Sequence, residues 1–183
     1  DPELLTVTGG QPWSSGGQYD RHNVLGAELA LRAAEVLPMG TVMGESFASV
    51  DLLLGSGLGK TVKKPDNRRA DGVIVRLDGL RIAYEITATA SRGLENKVRR
   101  WSQALAAHPL ETSGLVIVFI AAPHPDRKDG KNPLTAIRNA VSDVLRDFPG
   151  TGTDSPAARI GVASWADWFP ARHELSELFF RLE

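Results

Sequence analysis

Four ionisable residues have the types and spacing to share one reaction: Asp71, Glu85, Lys97 and Glu28. Asp71 and Glu85 stand on two β-prone runs joined by Asp78-Gly79, a pair that favours a hairpin. A three-residue loop, Leu77-Asp78-Gly79, places Gly79 in the left-handed position and pairs Arg76 with Leu80. Counting back sets Asp71 opposite Glu85. Side-chain alternation then puts Asp71, Val73, Glu85 and Thr87 on one face, and Ile74, Ile82, Tyr84 and Ile86 on the other. A two-residue loop, Asp78-Gly79, shifts the register by one and sends the two acids to opposite faces. The three-residue loop is the one expected, because it also collects the apolar residues. Facing carboxylates repel unless a cation lies between them, so this pair suits a hard divalent ion, Mg²⁺ or Mn²⁺. An ion held there activates water and stabilises charge developing on a phosphodiester. The plainer alternative leaves both acids as solvated strand residues or pairs them with Arg81.

Glu28 lies on a narrow charged stripe of a first helix and could complete the set, although an ion pair with Arg32 one turn on also accounts for it. Lys97 stands about 70° from the centre of its helix's apolar stripe, so its amine either reaches the sheet edge or snorkels to water. The run Lys60, Lys63, Lys64, Arg68 and Arg69 directly precedes Asp71, where a phosphate backbone would approach. A solvated loop is the alternative for it. Gly55-Ser56-Gly57-Leu58-Gly59-Lys60-Thr61 imitates a phosphate-binding loop. It fails the spacing, because Leu54 occupies the required first glycine and no helix-like segment follows. The histidines, His22, His108, His124 and His173, lack the spacing of a helical zinc pair.

Those residues need elements to position them. The chain has 183 residues, 42% hydrophobic and 23% charged, which fits one globular domain rather than a disordered chain. Residues 1–22 read as an irregular arm or linker, and residues 23–183 as a single domain. A helix is expected over Val24 to Leu37, with Glu28, Arg32 and Glu35 inside a wedge of roughly 60°. Thr41 to Ala48 reads as a strand, followed by the hairpin strands Asp71 to Arg76 and Leu80 to Ala88. Ser91 caps a helix whose apolar positions are Leu94, Val98, Trp101 and Leu105. The unbroken run Leu115 to Ala122 reads as a strand covered on both faces. A helix opens at Asn132-Pro133, a strand runs from Arg159 to Trp165, and a terminal helix covers Glu174 to Leu182. The order predicts an α/β fold with a mixed central sheet flanked by helices.

The absence of cysteine excludes disulfides, thiolate metal sites and cysteine nucleophiles. With no basic-then-apolar leader and no apolar run long enough to span a bilayer, a cytoplasmic protein with no membrane partner is expected. Asp1 in place of Met leaves room for an upstream region. A net charge of −1 excludes a surface basic enough to coat nucleic acid, so any DNA contact must be local.

The run Arg69-Ala70-Asp71-Gly72-Val73-Ile74-Val75, a hairpin, then Tyr84-Glu85-Ile86-Thr87 and a helix carrying Lys97 resembles the PD-(D/E)XK nuclease superfamily. Arg21-His22-Asn23-Val24-Leu25 and Lys97-Val98-Arg99-Arg100-Trp101 extend the likeness to replication-relaxation-type proteins of bacterial plasmids and mobile elements. The resemblance implies a restriction-endonuclease-like αβββαβ core and metal-dependent DNA cleavage. Asp71 and Glu85 would then be the metal ligands and Glu28 a supporting acid. The chain departs from the pattern at Thr87, where the motif lysine belongs, and Lys97 is the candidate replacement. Without a working lysine the resemblance implies an inactive DNA-binding or interaction module. A purely structural protein-interaction domain is the third reading.

Overall fold

The computed structural model describes residues 25–31, 33, 39–45, 48–54, 69–122 and 133–165. Residues 25–31 are helical (α1). Then follow β1 (Met39–Gly44), a one-turn α2 (Val50–Leu53), β2 (Gly72–Arg76), β3 (Arg81–Thr87) and α3 (Arg92–Ala107). After them come a one-turn α4 (Leu110–Ser113), β4 (Leu115–Ala121), α5 (Leu134–Leu145), a one-turn α6 (Pro156–Arg159) and β5 (Ile160–Ser164). The fold is α/β: a five-stranded open sheet in the order β1-β2-β3-β4-β5, flanked by helices. The sheet is mixed, with β1–β2 and β2–β3 antiparallel and β4–β5 parallel. Two compact units divide the chain, Asp1–Tyr84 and Glu85–Glu183, and the division falls inside β3.

In the first unit, local chemistry fixes the hairpin. Gly79 adopts φ +88°, and its N–H donates to the Arg76 carbonyl at 3.0 Å. Arg76 N donates to the Leu80 carbonyl at 2.8 Å, closing the three-residue loop. The register that follows, Gly72↔Tyr84, Val73↔Ala83, Ile74↔Ile82 and Val75↔Arg81, is the one this loop requires. Asp78 holds the turn, accepting from Leu80 N at 3.1 Å and pairing with Arg76 at 2.9 Å. The Leu80 bond, followed by the Arg76 charge, sets the Asp78 carboxyl below its ordinary pKa. Gly72 is required by a close approach. A Cβ there would overlap the Tyr84 hydroxyl and the ring carbon that bears it.

Tyr84 is buried, and burial, reinforced by the Asp71 charge, raises its phenol pKa well above the ordinary value. A group whose folded-state pKa is raised gives stability that is complete below its unfolded pKa, about 10 for tyrosine, and is lost as pH rises beyond it. Urea midpoints of the wild type should therefore fall on moving from neutral to strongly alkaline pH. Those of Tyr84→Phe should fall markedly less. Equal alkaline losses in both proteins would contradict this account.

The first strand is shorter than expected from the sequence and displaced toward its start. It ends at Gly44, not Ala48, because the chain turns there: Ala48 N donates to the Glu45 carbonyl at 3.1 Å, and α2 begins at Val50. Arg81, the alternative partner for the strand acids, instead donates its guanidinium to the Leu53 carbonyl at the end of α2.

In the second unit, Ser91 caps α3 as its sequence position predicts, accepting from Leu94 N at 3.4 Å. Leu94, Val98, Trp101 and Leu105 form the buried stripe, joined by Ser102 and Ala104. Pro109 stops the helix, since it has no N–H to continue the ladder. Every β4 residue except Val116 is buried, as the unbroken apolar run predicts for a strand covered on both faces. Helix α5 packs on α3 and β5.

One side chain ties this unit together. Arg159 is 2% exposed, and each of its five N–H groups has a partner. Nε and Nη2 donate to the Leu115 carbonyl at 3.0 and 2.9 Å. Nη1 donates to the Leu105 and His108 carbonyls at 2.9 and 2.7 Å, and Nη2 also to Ser113 Oγ at 2.8 Å. Arg159 thus satisfies carbonyls that the end of α3 leaves open and joins that end to α4 and the start of β4. Burial lowers the guanidinium pKa, with the nearby Asp154 charge acting in the opposite direction. The expected strand began at Arg159; the structure gives that residue to α6 and starts β5 at Ile160.

Candidate functional site

The alternation that gives β3 its apolar face also gives Glu85 a place on the opposite face, and both faces are covered: residues 82–86 are all buried. Glu85 is therefore a carboxylate removed from water, with 0% of its side chain exposed. Such a group is tolerated only when hydrogen-bonded and paired. Both its oxygens are engaged from α3. Lys97 Nζ donates to Oε2 at 2.6 Å, and Trp101 Nε1 donates to Oε1 at 2.8 Å. Lys97 and Trp101 are four residues apart and so lie one above the other on the same helix face. This spacing lets one helix place a cation and a neutral donor on a single carboxylate.

The two donors differ in their access to solvent. The Lys97 side chain is 43% exposed, whereas Trp101 is buried. Oε1 is therefore closed off by packed indole, and Oε2 faces the partner that reaches water. In donor chemistry Glu85 fits a hard divalent cation, since it offers only carboxylate oxygens. Among the described residues, no group of three or more His, Cys, Asp or Glu side chains gathers as a metal site.

The other candidate residues are distributed as follows. Glu28 is half-buried in α1, and Asp71 is half-buried just before β2, with its main-chain N–H on the Tyr84 carbonyl at 3.0 Å. Both belong to the first unit, whereas Glu85 and Lys97 belong to the second, where they meet directly. Arg69 is exposed and forms an isolated bridge with Ser49. Lys60, Lys63, Lys64 and Arg68 lie outside the described residues, as do the glycine-rich segment 55–61, His22, His124, His173 and the terminal helix expected over 174–182. The expected helix over 24–37 is described only at 25–31 and 33, where it is helical.

Trp101 is the residue that sequence reasoning assigned only to the apolar stripe. The signal for its polar contact was present: an acid within reach of Lys97 is also within reach of the side chain one turn further along. No family model, curated protein or solved structure matches the chain. Among the described residues, no helix is long and apolar enough to cross a membrane.

Proposed function

We propose that the chain is a metal-dependent phosphodiesterase acting on DNA, of the PD-(D/E)XK kind with a restriction-endonuclease-like core, serving plasmid or mobile-element replication or relaxation. The observation that supports this reading is the Lys97 ammonium on the Glu85 carboxylate at 2.6 Å. The motif position two residues after Glu85 holds Thr87, which carries no charge. A lysine delivered from the following helix to the same acid restores the missing positive group. Mg²⁺ or Mn²⁺, when bound, supplies a water of lowered pKa and neutralises charge on the phosphate. With such an ion bound, Glu85 and Asp71 would be the residues that hold it and Glu28 the supporting acid. Lys97 would be the group that donates to the attacking water or to a phosphate oxygen. Arg69, with Lys63, Lys64 and Arg68, neutralises the backbone on the approach to Asp71, a local contact compatible with a net charge of −1.

The test is cleavage of supercoiled plasmid with Mg²⁺ or Mn²⁺. Wild type should nick or linearise it. Asp71→Ala, Glu85→Gln and Lys97→Met should each lose at least about 10²-fold in rate, the scale of a positioned acid–base group. Thr87→Lys in the Lys97→Met background should recover part of the loss, which a purely structural lysine would not allow. A second reading, an inactive nuclease-fold DNA-binding module, is favoured by the complete burial of Glu85 under Trp101. Salt-sensitive DNA binding without cleavage by wild type would establish that reading. Neither cleavage nor binding would leave a protein-interaction domain.

A further inference from the structure

The carboxylate of Glu85 has two oxygens, and the second unit treats them differently. Oε1 accepts from a buried indole N–H, and Oε2 accepts from a half-exposed ammonium. The indole cannot leave without breaking the packed stripe that Trp101 shares with Leu94, Val98 and Leu105, all of them buried. The lysine can, because its flexible stem already extends to solvent. The neutral donor is thus fixed and the charged donor is exchangeable.

We propose that Trp101 is a positioning residue for Glu85: its indole N–H pins Oε1 so that Oε2 is presented as the one oxygen for which Lys97 and an incoming divalent cation compete. This rests on the metal-dependent reading above and adds to it the residue that orients the ligand. A carboxylate with one oxygen pinned loses less rotational freedom when it captures an ion. Removal of a hydrogen-bond partner that orients a metal ligand typically weakens metal affinity by about 10- to 100-fold. Phenylalanine keeps an aromatic ring in the stripe and deletes only the donor.

The experiment uses the full chain and two readouts that need no turnover. The indole N–H resonance of Trp101, assigned by its loss in Trp101→Phe, should move in Glu85→Gln, where the acceptor loses its charge. Calorimetric titration with Mn²⁺ should show binding to wild type and affinity at least about 10-fold weaker in Trp101→Phe, with far-UV circular dichroism unchanged. In plasmid cleavage, Trp101→Phe should lower kcat and leave the KM for DNA unchanged. Wild-type Mn²⁺ affinity in Trp101→Phe, or an indole resonance indifferent to Glu85→Gln, overturns the proposal even if the protein cleaves DNA. Weakened Mn²⁺ binding in a protein that cleaves nothing upholds the positioning role and removes the catalytic step. A wild type that binds no Mn²⁺ overturns both.

Discussion

Lys97→Met should lower the stability of the chain by about 3–5 kcal/mol, while Glu85→Gln should lower it by no more than about 1–2 kcal/mol. The asymmetry follows from solvent access. Lys97 keeps 43% of its side chain exposed and Glu85 keeps none. Removing the ammonium leaves a carboxylate in the interior without its 2.6 Å cationic partner, while the Trp101 N–H stays on Oε1. Removing the carboxylate's charge leaves an ammonium that swings into water, while the new amide oxygen still accepts from Trp101. The double variant, Glu85→Gln with Lys97→Met, should lie close to Glu85→Gln alone, because the buried charge is gone with its partner. Urea denaturation followed by circular dichroism measures all four proteins. Equal losses from the two single substitutions would show that the carboxylate is solvated and would remove the basis for treating it as a guarded ligand. The same asymmetry bears on the cleavage assay: Lys97→Met must be assayed under conditions where circular dichroism shows it folded, and the Thr87→Lys rescue separates chemistry from stability.

Arg159→Met should cost about as much, roughly 3–5 kcal/mol, for a different reason. The substitution keeps an unbranched stem but takes the guanidinium from the His108 and Leu115 carbonyls and leaves the Leu105 carbonyl with only the His108 N–H. Each buried acceptor left unsatisfied costs about 1–3 kcal/mol, partly offset because the guanidinium no longer has to be dehydrated. Arg159→Lys should recover little. An ammonium cannot span in one plane the end of α3, Ser113 and the start of β4. Hydrogen exchange should locate the damage, with the largest loss of amide protection in the last turn of α3 and in α4. A loss below about 1 kcal/mol would mean that water replaces the guanidinium, and that the residue is an accessory to the fold.

What could be read from the sequence was what depends on near neighbours. The turn at Gly79, the cap at Ser91 and the apolar run of β4 each follow from a few adjacent residues. The hairpin register followed as well, because loop length and apolar alternation agree on it. Lys97 reaching Glu85 was foreseeable as one of two outcomes, from its angle on the helix. The four-residue helices α2, α4 and α6 were not, since a single turn has no period to detect. The depth of Glu85 was not legible either. Alternation assigns a side chain to a face but does not say what covers that face. Arg159 was missed for a stronger reason: its partners lie 44 to 54 residues away, and nothing in their side chains marks them.

That last point has a consequence for how this protein can vary. Four of the five Arg159 bonds end on main-chain oxygens, which every amino acid possesses. Replacing Leu105, His108 or Leu115 therefore leaves the acceptors in place, provided the backbone path is kept. Arg159 should be nearly immutable, while Leu105 and Leu115 are held only by the packing of their apolar side chains and His108 by neither demand. A library randomised at all four positions would recover a fixed arginine with no correlated choices beside it. Methods that infer spatial neighbours from correlated substitution would find at most Ser113 beside Arg159, since the other four bonds end on main-chain oxygens.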